Sequence, residues 1–168
     1  MQLTLSRPSF LGSLPSGAPG TAETLRLMRG LVQQYKTDLQ VRGLALELVQ
    51  STPPRDWRGE IRSLFEYVRD HIRYVRDIEG VETLQTPPAT IDLEAGDCDD
   101  KSTLLAALLA SIGYQSRFVA VGYRQPDSYQ HVYVEALLDG EWVPLDATVP
   151  KPFGWRPRSA VSRMVLAV

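Results

Sequence analysis

Cysteine occurs once in the 168 residues, at Cys98, and histidine only twice, at His71 and His131. A lone thiol excludes an internal disulfide and a cysteine-rich metal centre, so stability must come from a buried core. Long apolar runs are missing as well: the longest, Leu104 to Ala110, falls far short of the roughly 20 residues that cross a bilayer. The start, MQLTLSRPSF, has no basic stretch followed by an apolar one, so no secretory signal is expected. Charge of one sign is not in excess either. With 18 Lys and Arg against 20 Asp and Glu, the net charge of −2 gives no footprint for nucleic acid or an anionic membrane. A reducing, cytoplasmic setting fits these absences. What remains, 43% hydrophobic and 23% charged residues, suits one compact unit able to bury a core.

Along the chain, residues 1–10 are expected to form a short extended arm, with GSLPSGAPGT as the loop behind it. Helical spacing begins at Thr21, with Leu25, Met28, Val32 and Tyr35, and a second short helix is expected over Arg42 to Gln50. STPPRD then breaks the chain. We place an organisational boundary here: an N-terminal arm and helical extension over 1–50, then a core with a C-terminal tail over 51–168. Asp56 is a helix N-cap, and Ile61, Leu64, Phe65, Val68 and Ile72 make one buried stripe. IRYVRD is expected to leave that helix extended, and LQTPPATIDLEAG reads as a loop, because prolines do not sit inside a helix. A helix runs from Cys98 to near Gly113, a residue suited to a left-handed cap, and SRFVAVGY is the strand after it. Two strands, HVYVEALL and EWVPLDAT, are joined by Asp139 and Gly140, a strong hairpin signal. The tail is expected to be loop-like, with a last strand at its end.

The hairpin fixes a register. With Asp139 and Gly140 as turn residues, Leu138 faces Glu141, Tyr133 faces Asp146 and His131 faces Thr148. Alternation puts His131, Tyr133, Glu135 and Leu137 on one face with Trp142, Pro144, Asp146 and Thr148, and leaves Val132, Val134, Ala136, Leu138, Val143, Leu145 and Ala147 as the core face. His131 and Asp146 are then diagonal neighbours within side-chain reach, and a carboxylate that holds an imidazole by its N–H is the orienting half of a catalytic triad.

A lone cysteine is by default a small buried hydrophobe. Cys98, however, opens a helix, where backbone N–H groups and the dipole favour a thiolate. His71 competes as the base but has no carboxylate on a paired strand. The surrounding aspartates pose a difficulty for a reactive thiol. Helical spacing puts Lys101 and Ser102 on the side of Cys98, so Asp97 is expected as N-cap, with Asp99 and Asp100 turned to solvent, where they complement the dipole.

GDC at a helix start, LLAALLASIGYQSRFVAV after it, then QHVYVEALLDGEWVPLDAT, resembles the core of the transglutaminase-like superfamily, a branch of the papain-like cysteine-enzyme fold. EIRSLFEYVRDHIRYVRD is similar to the helix that precedes the nucleophile in bacterial and phage-type members. The resemblance implies an α+β core in which the nucleophile helix packs on an antiparallel sheet behind N-terminal helices. It also implies Cys98 as nucleophile, His131 as base and Asp146 as its orienter. The expected chemistry is acyl transfer from a peptide or protein amide through a thioester, with hydrolysis first and transamidation second, and no cofactor. The oxyanion would be held by the Cys98 N–H and a second donor, for which Gln85 and Tyr74 are the candidates. Two rivals stand beside this: a catalytically silent binding or phage-assembly module, and a calcium- or magnesium-dependent variant using the aspartates. The acidic DCDD departs from cross-linking transglutaminases of eukaryotes, and the setting would be the cytoplasm, or a phage virion and its host.

Overall fold

The computed structural model describes residues 10–12, 17–76 and 82–168, and the expected arm falls outside them except at its last residue. A short strand β1 (Phe10–Gly12) precedes three helices, α1 (Gly17–Tyr35), α2 (Leu39–Val49) and α3 (Trp57–His71). Helix α1 starts four residues before Thr21, inside the Gly/Pro stretch, because Pro19 falls in the first turn, where no N–H is needed. Helix α2 likewise starts before Arg42, at a residue set by Asp38, whose carboxylate accepts the N–H groups of Gln40 and Val41 at 2.9 and 3.1 Å. Asp56 caps α3 as expected, accepting the Gly59 N–H at 2.9 Å, and the stripe from Ile61 to Ile72 is buried.

After Ile72 the backbone turns extended into β2 (Arg73–Tyr74), which pairs in parallel with β4 (Ala95–Gly96), while β3 (Glu82–Leu84) pairs with β1. The proline-rich stretch between them corrects the sequence reading: it contains a helix, α4 (Pro87–Leu93). Both prolines occupy its first turn, and Thr86 caps it by accepting the Ala89 N–H at 3.3 Å. Prolines are excluded from a helix interior, not from its start.

Helix α5 (Cys98–Ser111) is the centre of the molecule, with Leu104 to Leu109 fully buried. Its end is closed by Gly113 at φ +95°: the Gly113 N–H reaches Ala110 O at 3.2 Å and the Tyr114 N–H reaches Leu109 O at 3.0 Å, the paired bonds of a left-handed cap. Four antiparallel strands follow, β5 (Ser116–Gly122), β6 (His131–Leu138), β7 (Glu141–Leu145) and β8 (Ser162–Ala167), in the order β7-β6-β5-β8. One face of this sheet, with Phe118, Ala120, Val132, Val134, Ala136 and Leu145, shares a core with α5, α3 and the first two helices. Helix α5 lies on β6, tied by a hydrogen bond from Ser102 Oγ to Val132 O at 3.3 Å. Leu25, Met28, Val41 and Ala45 belong to the same cluster, so packing is continuous across the boundary at residue 50. Each fully buried leucine in it contributes roughly 1.5–3 kcal/mol. The α+β architecture is thus the expected one, a helix opening on Cys98 laid against an antiparallel sheet. Among the described residues no helix is long and apolar enough to cross a membrane.

Candidate active site

The start of α5 is built by aspartates that bond to backbone. Asp97 Oδ1 accepts the N–H groups of Asp99 and Asp100 at 2.9 and 3.1 Å, and Asp100 Oδ2 reaches back to the Asp97 N–H at 3.2 Å, a reciprocal capping box. Asp100 Oδ1 also takes the Gln85 N–H at 2.8 Å. Asp97 is therefore the N-cap as read. Asp100 is not turned to solvent: it is buried, and it ties α5 to the segment before α4. Gly96 makes this possible, since a Cβ there would lie 2.6 Å from Asp100 Cβ. Gly96→Ala is expected to cost about 1–3 kcal/mol of stability by forcing the two apart, measurable by urea denaturation.

Cys98 is partly buried, and its thiol donates to Asp99 Oδ1 at 3.5 Å. Burial first, then the carboxylates of Asp99 and Asp97, push the thiol well above its ordinary pKa, outweighing the Val132 backbone N–H that favours the thiolate. The assignment of Asp99 to the solvent side is thus corrected, and so is the role of Lys101. Its ammonium is buried and donates to Ile72 O and, at 3.4 Å, to Arg69 O, closing the C-terminal end of α3. Burial brings its pKa down to about 8, against the pull of Asp70 and Asp146. A buried lysine stem follows the apolar core, whereas helix-wheel spacing alone said only which side it leaves.

The hairpin has the register derived above. Asp139 and Gly140 both take positive φ, 52° and 82°, and Leu138 pairs with Glu141 and Val134 with Leu145. Just past β7, Asp146 Oδ2 lies 2.8 Å from His131 Nε2. The other oxygen, Oδ1, accepts from the Thr148 hydroxyl at 2.6 Å and the Thr148 N–H at 3.1 Å. This buried carboxylate is held from two sides, and an Nε2–H donated to it leaves Nδ1 as the basic nitrogen. Thr148 was legible only as the residue facing His131; its second role follows from the D-x-T spacing, where a Thr two residues after an Asp folds back on its carboxylate. The His131 ring also stacks on Tyr133, centroids 6.2 Å apart. His71 ends α3 with its ring stacked on Tyr67 at 5.0 Å.

Cys98 and His131 line one cleft of about 430 Å³, with Tyr74, Arg76, Arg124 and Tyr129. Of the two oxyanion candidates, Tyr74 is in this lining, and burial, then the neighbouring Cys98, raise its phenol above the ordinary pKa. Gln85 is not in the lining: its N–H goes to Asp100 and its Oε1 accepts from Thr90 Oγ1 at 3.4 Å. Ligand atoms of Asp97, Cys98 and Asp99 lie within 4.8 Å of one another, near enough to share a cation, but Asp97 Oδ1 already holds two backbone N–H groups.

Residues 42–147 match the family model of the transglutaminase-like superfamily. No curated protein matches the chain. Among solved structures it resembles a candidate protease from Parabacteroides distasonis (TM-score 0.60, 15% identity, 77% of this chain and 26% of that one). It also resembles a candidate cysteine protease from Cytophaga hutchinsonii (TM-score 0.56, 16% identity, 84% and 55%). A third likeness is to LapG of Legionella pneumophila, EGTA-treated (TM-score 0.50, 18% identity, 83% and 75%). At these identities the likeness is one of fold, and the chain spans about a quarter of the first protein and about half of the second.

Proposed function

Because the chain belongs to the transglutaminase-like superfamily, we propose that it is a cysteine-dependent enzyme acting on amides of peptides or proteins, with Cys98 as nucleophile, His131 as base and Asp146 as its orienter. The observation that carries this reading is the Asp146–His131 hydrogen bond of 2.8 Å, made by a histidine that shares a cleft with a helix-opening thiol.

The steps follow from the groups present. The thiol is protonated at rest, so attack requires transfer of its proton to His131 Nδ1 as sulfur adds to the carbonyl carbon. Asp146 stabilises the imidazolium through Nε2–H. At the helix start the N–H groups of Asp99 and Asp100 are taken by Asp97, and that of Lys101 by Asp97 O, which leaves the Cys98 N–H to meet the oxyanion. The Tyr74 hydroxyl is the second donor. His131 then protonates the leaving amine as the C–N bond breaks, giving a thioester on Cys98. Water, deprotonated by the same imidazole, releases the acid and restores the thiol. An amine in place of water would give transamidation. A single free thiol works best in a reducing compartment such as the cytoplasm, where it stays unoxidised.

The raised thiol pKa favours one second reading, a cleft that binds a peptide without reacting. Acid-quenched mass spectrometry after mixing with activated amide and ester donors separates the two. The enzyme reading expects an adduct of the acyl mass on the wild-type chain and none on Cys98→Ala. Peptide binding with no adduct from any donor would establish the silent module.

A further inference from the structure

The sheet face turned away from α5 carries a charge cluster that the reaction does not use. Glu135 on β6 is fully buried there, and three arginines from three segments converge on it. Arg117 of β5 reaches Oε2 at 2.6 Å, Arg163 of β8 reaches the same oxygen at 3.2 Å, and Arg156, from the segment before β8, reaches Oε1 at 3.2 Å. Tyr133 adds its hydroxyl at 3.4 Å. Glu135 is the only acid with which these arginines pair among the described residues, so two positive charges stand uncompensated.

They are also accessible. The side chains of Arg156 and Arg163 are 54% and 43% exposed, and each guanidinium has five N–H donors, of which the buried carboxylate engages only part. Val165, 38% exposed, is the apolar residue that follows Arg163 on the same strand face, while the third arginine, Arg117, lies 4.1 Å above the ring of Trp142 on β7. Arg163 and Val165 alternate along β8, an edge strand of the sheet, at the two-residue spacing of one strand face. Fixed guanidinium forks that have lost part of their freedom to a shared carboxylate pay little more to bind a second one.

We infer that this outer face is a docking surface for an acidic segment of a protein partner, lying extended beside β8 with carboxylates on Arg156 and Arg163 and apolar side chains on Val165. A polyphosphate such as nucleic acid is a poorer match, since its affinity comes from many phosphate contacts and this face offers two surplus charges on a chain of net charge −2. The inference does not depend on the reactivity of Cys98.

Fluorescence anisotropy with a labelled peptide of alternating Glu and Val tests it. Saturable binding is expected, weakened about tenfold or more by Arg156→Gln together with Arg163→Gln and by high salt, and absent when Lys replaces Glu in the peptide. The single variants serve as a second measurement. Each leaves Glu135 two arginine partners, so the fold is retained, and each should show an intermediate loss. Arg124→Gln, in the cleft, should leave binding unchanged. Absence of saturable binding, indifference to the Arg156 and Arg163 changes, loss through Arg124→Gln instead, or equal competition by duplex DNA or phosphatidylserine vesicles would each overturn it.

Discussion

Asp146→Asn is expected to lower amide turnover about a thousandfold or more while the fold is kept, and the reason is a proton placed on the wrong nitrogen. Thr148 donates both its hydroxyl and its N–H to Oδ1, so in the variant that site must remain an acceptor and will hold the amide oxygen. The amide NH2 is then turned to His131 Nε2, which has to accept. The neutral imidazole thus carries its proton on Nδ1, the nitrogen needed to take the thiol proton. Cys98→Ala should lose at least as much, because no sulfur remains to form the thioester, yet should change stability far less than the 2–5 kcal/mol typical of truncating a core leucine. Nitrogen-15 NMR of His131 checks the tautomer directly, and a kcat/KM for Asp146→Asn within about tenfold of wild type would sink the assignment of Nδ1 as base.

The second large effect concerns the pH at which Cys98 reacts. With Asp99 Oδ1 at 3.5 Å from the sulfur, Asp99→Asn removes the largest charge opposing the thiolate and should lower the pH midpoint of iodoacetamide labelling. Lys101→Met should leave the midpoint almost where it was, since that ammonium serves the carbonyls of Ile72 and Arg69. The sign for stability is equally fixed. A thiol whose folded pKa lies above its unfolded value keeps its proton longer when folded, so its contribution is complete below the ordinary thiol range and is lost as pH rises through and above it. Asp99→Asn should therefore flatten the alkaline fall in melting temperature. An unmoved labelling midpoint would mean that burial alone holds the thiol up.

The contrast between His131 and Lys101 shows what a sequence can carry. The Asp139-Gly140 turn is a local signal with a strict arithmetic, and alternation carries it along both strands, outward to His131 on one and to Asp146 just past the end of the other. Helix stripes such as Ile61 to Ile72 are legible for the same reason, a fixed period. Directions of long or short polar side chains are not periodic. Asp99 bends to the sulfur beside it and Asp100 to Gln85, choices decided by partners distant in sequence or by local rotamers. Helix α4 is hidden from any rule that treats proline as a breaker, because its two prolines stand in the first turn, where they are tolerated. The arginine cluster was invisible because three segments must meet before Glu135 has its neighbours.

The hairpin also orders how the site comes into being. His131 stands at the first residue of β6 and Asp146 just after the last of β7, with a tight turn at the far end, so the closure of one hairpin, an event of microsecond scale, is enough to bring the imidazole and the carboxylate together. Cys98 belongs to a different element, α5, which is held to β6 by the Ser102–Val132 bond. On the proposed reading, a chain with the hairpin formed but α5 undocked would have its imidazole and carboxylate together with no sulfur beside them, so reactivity would require the closed core.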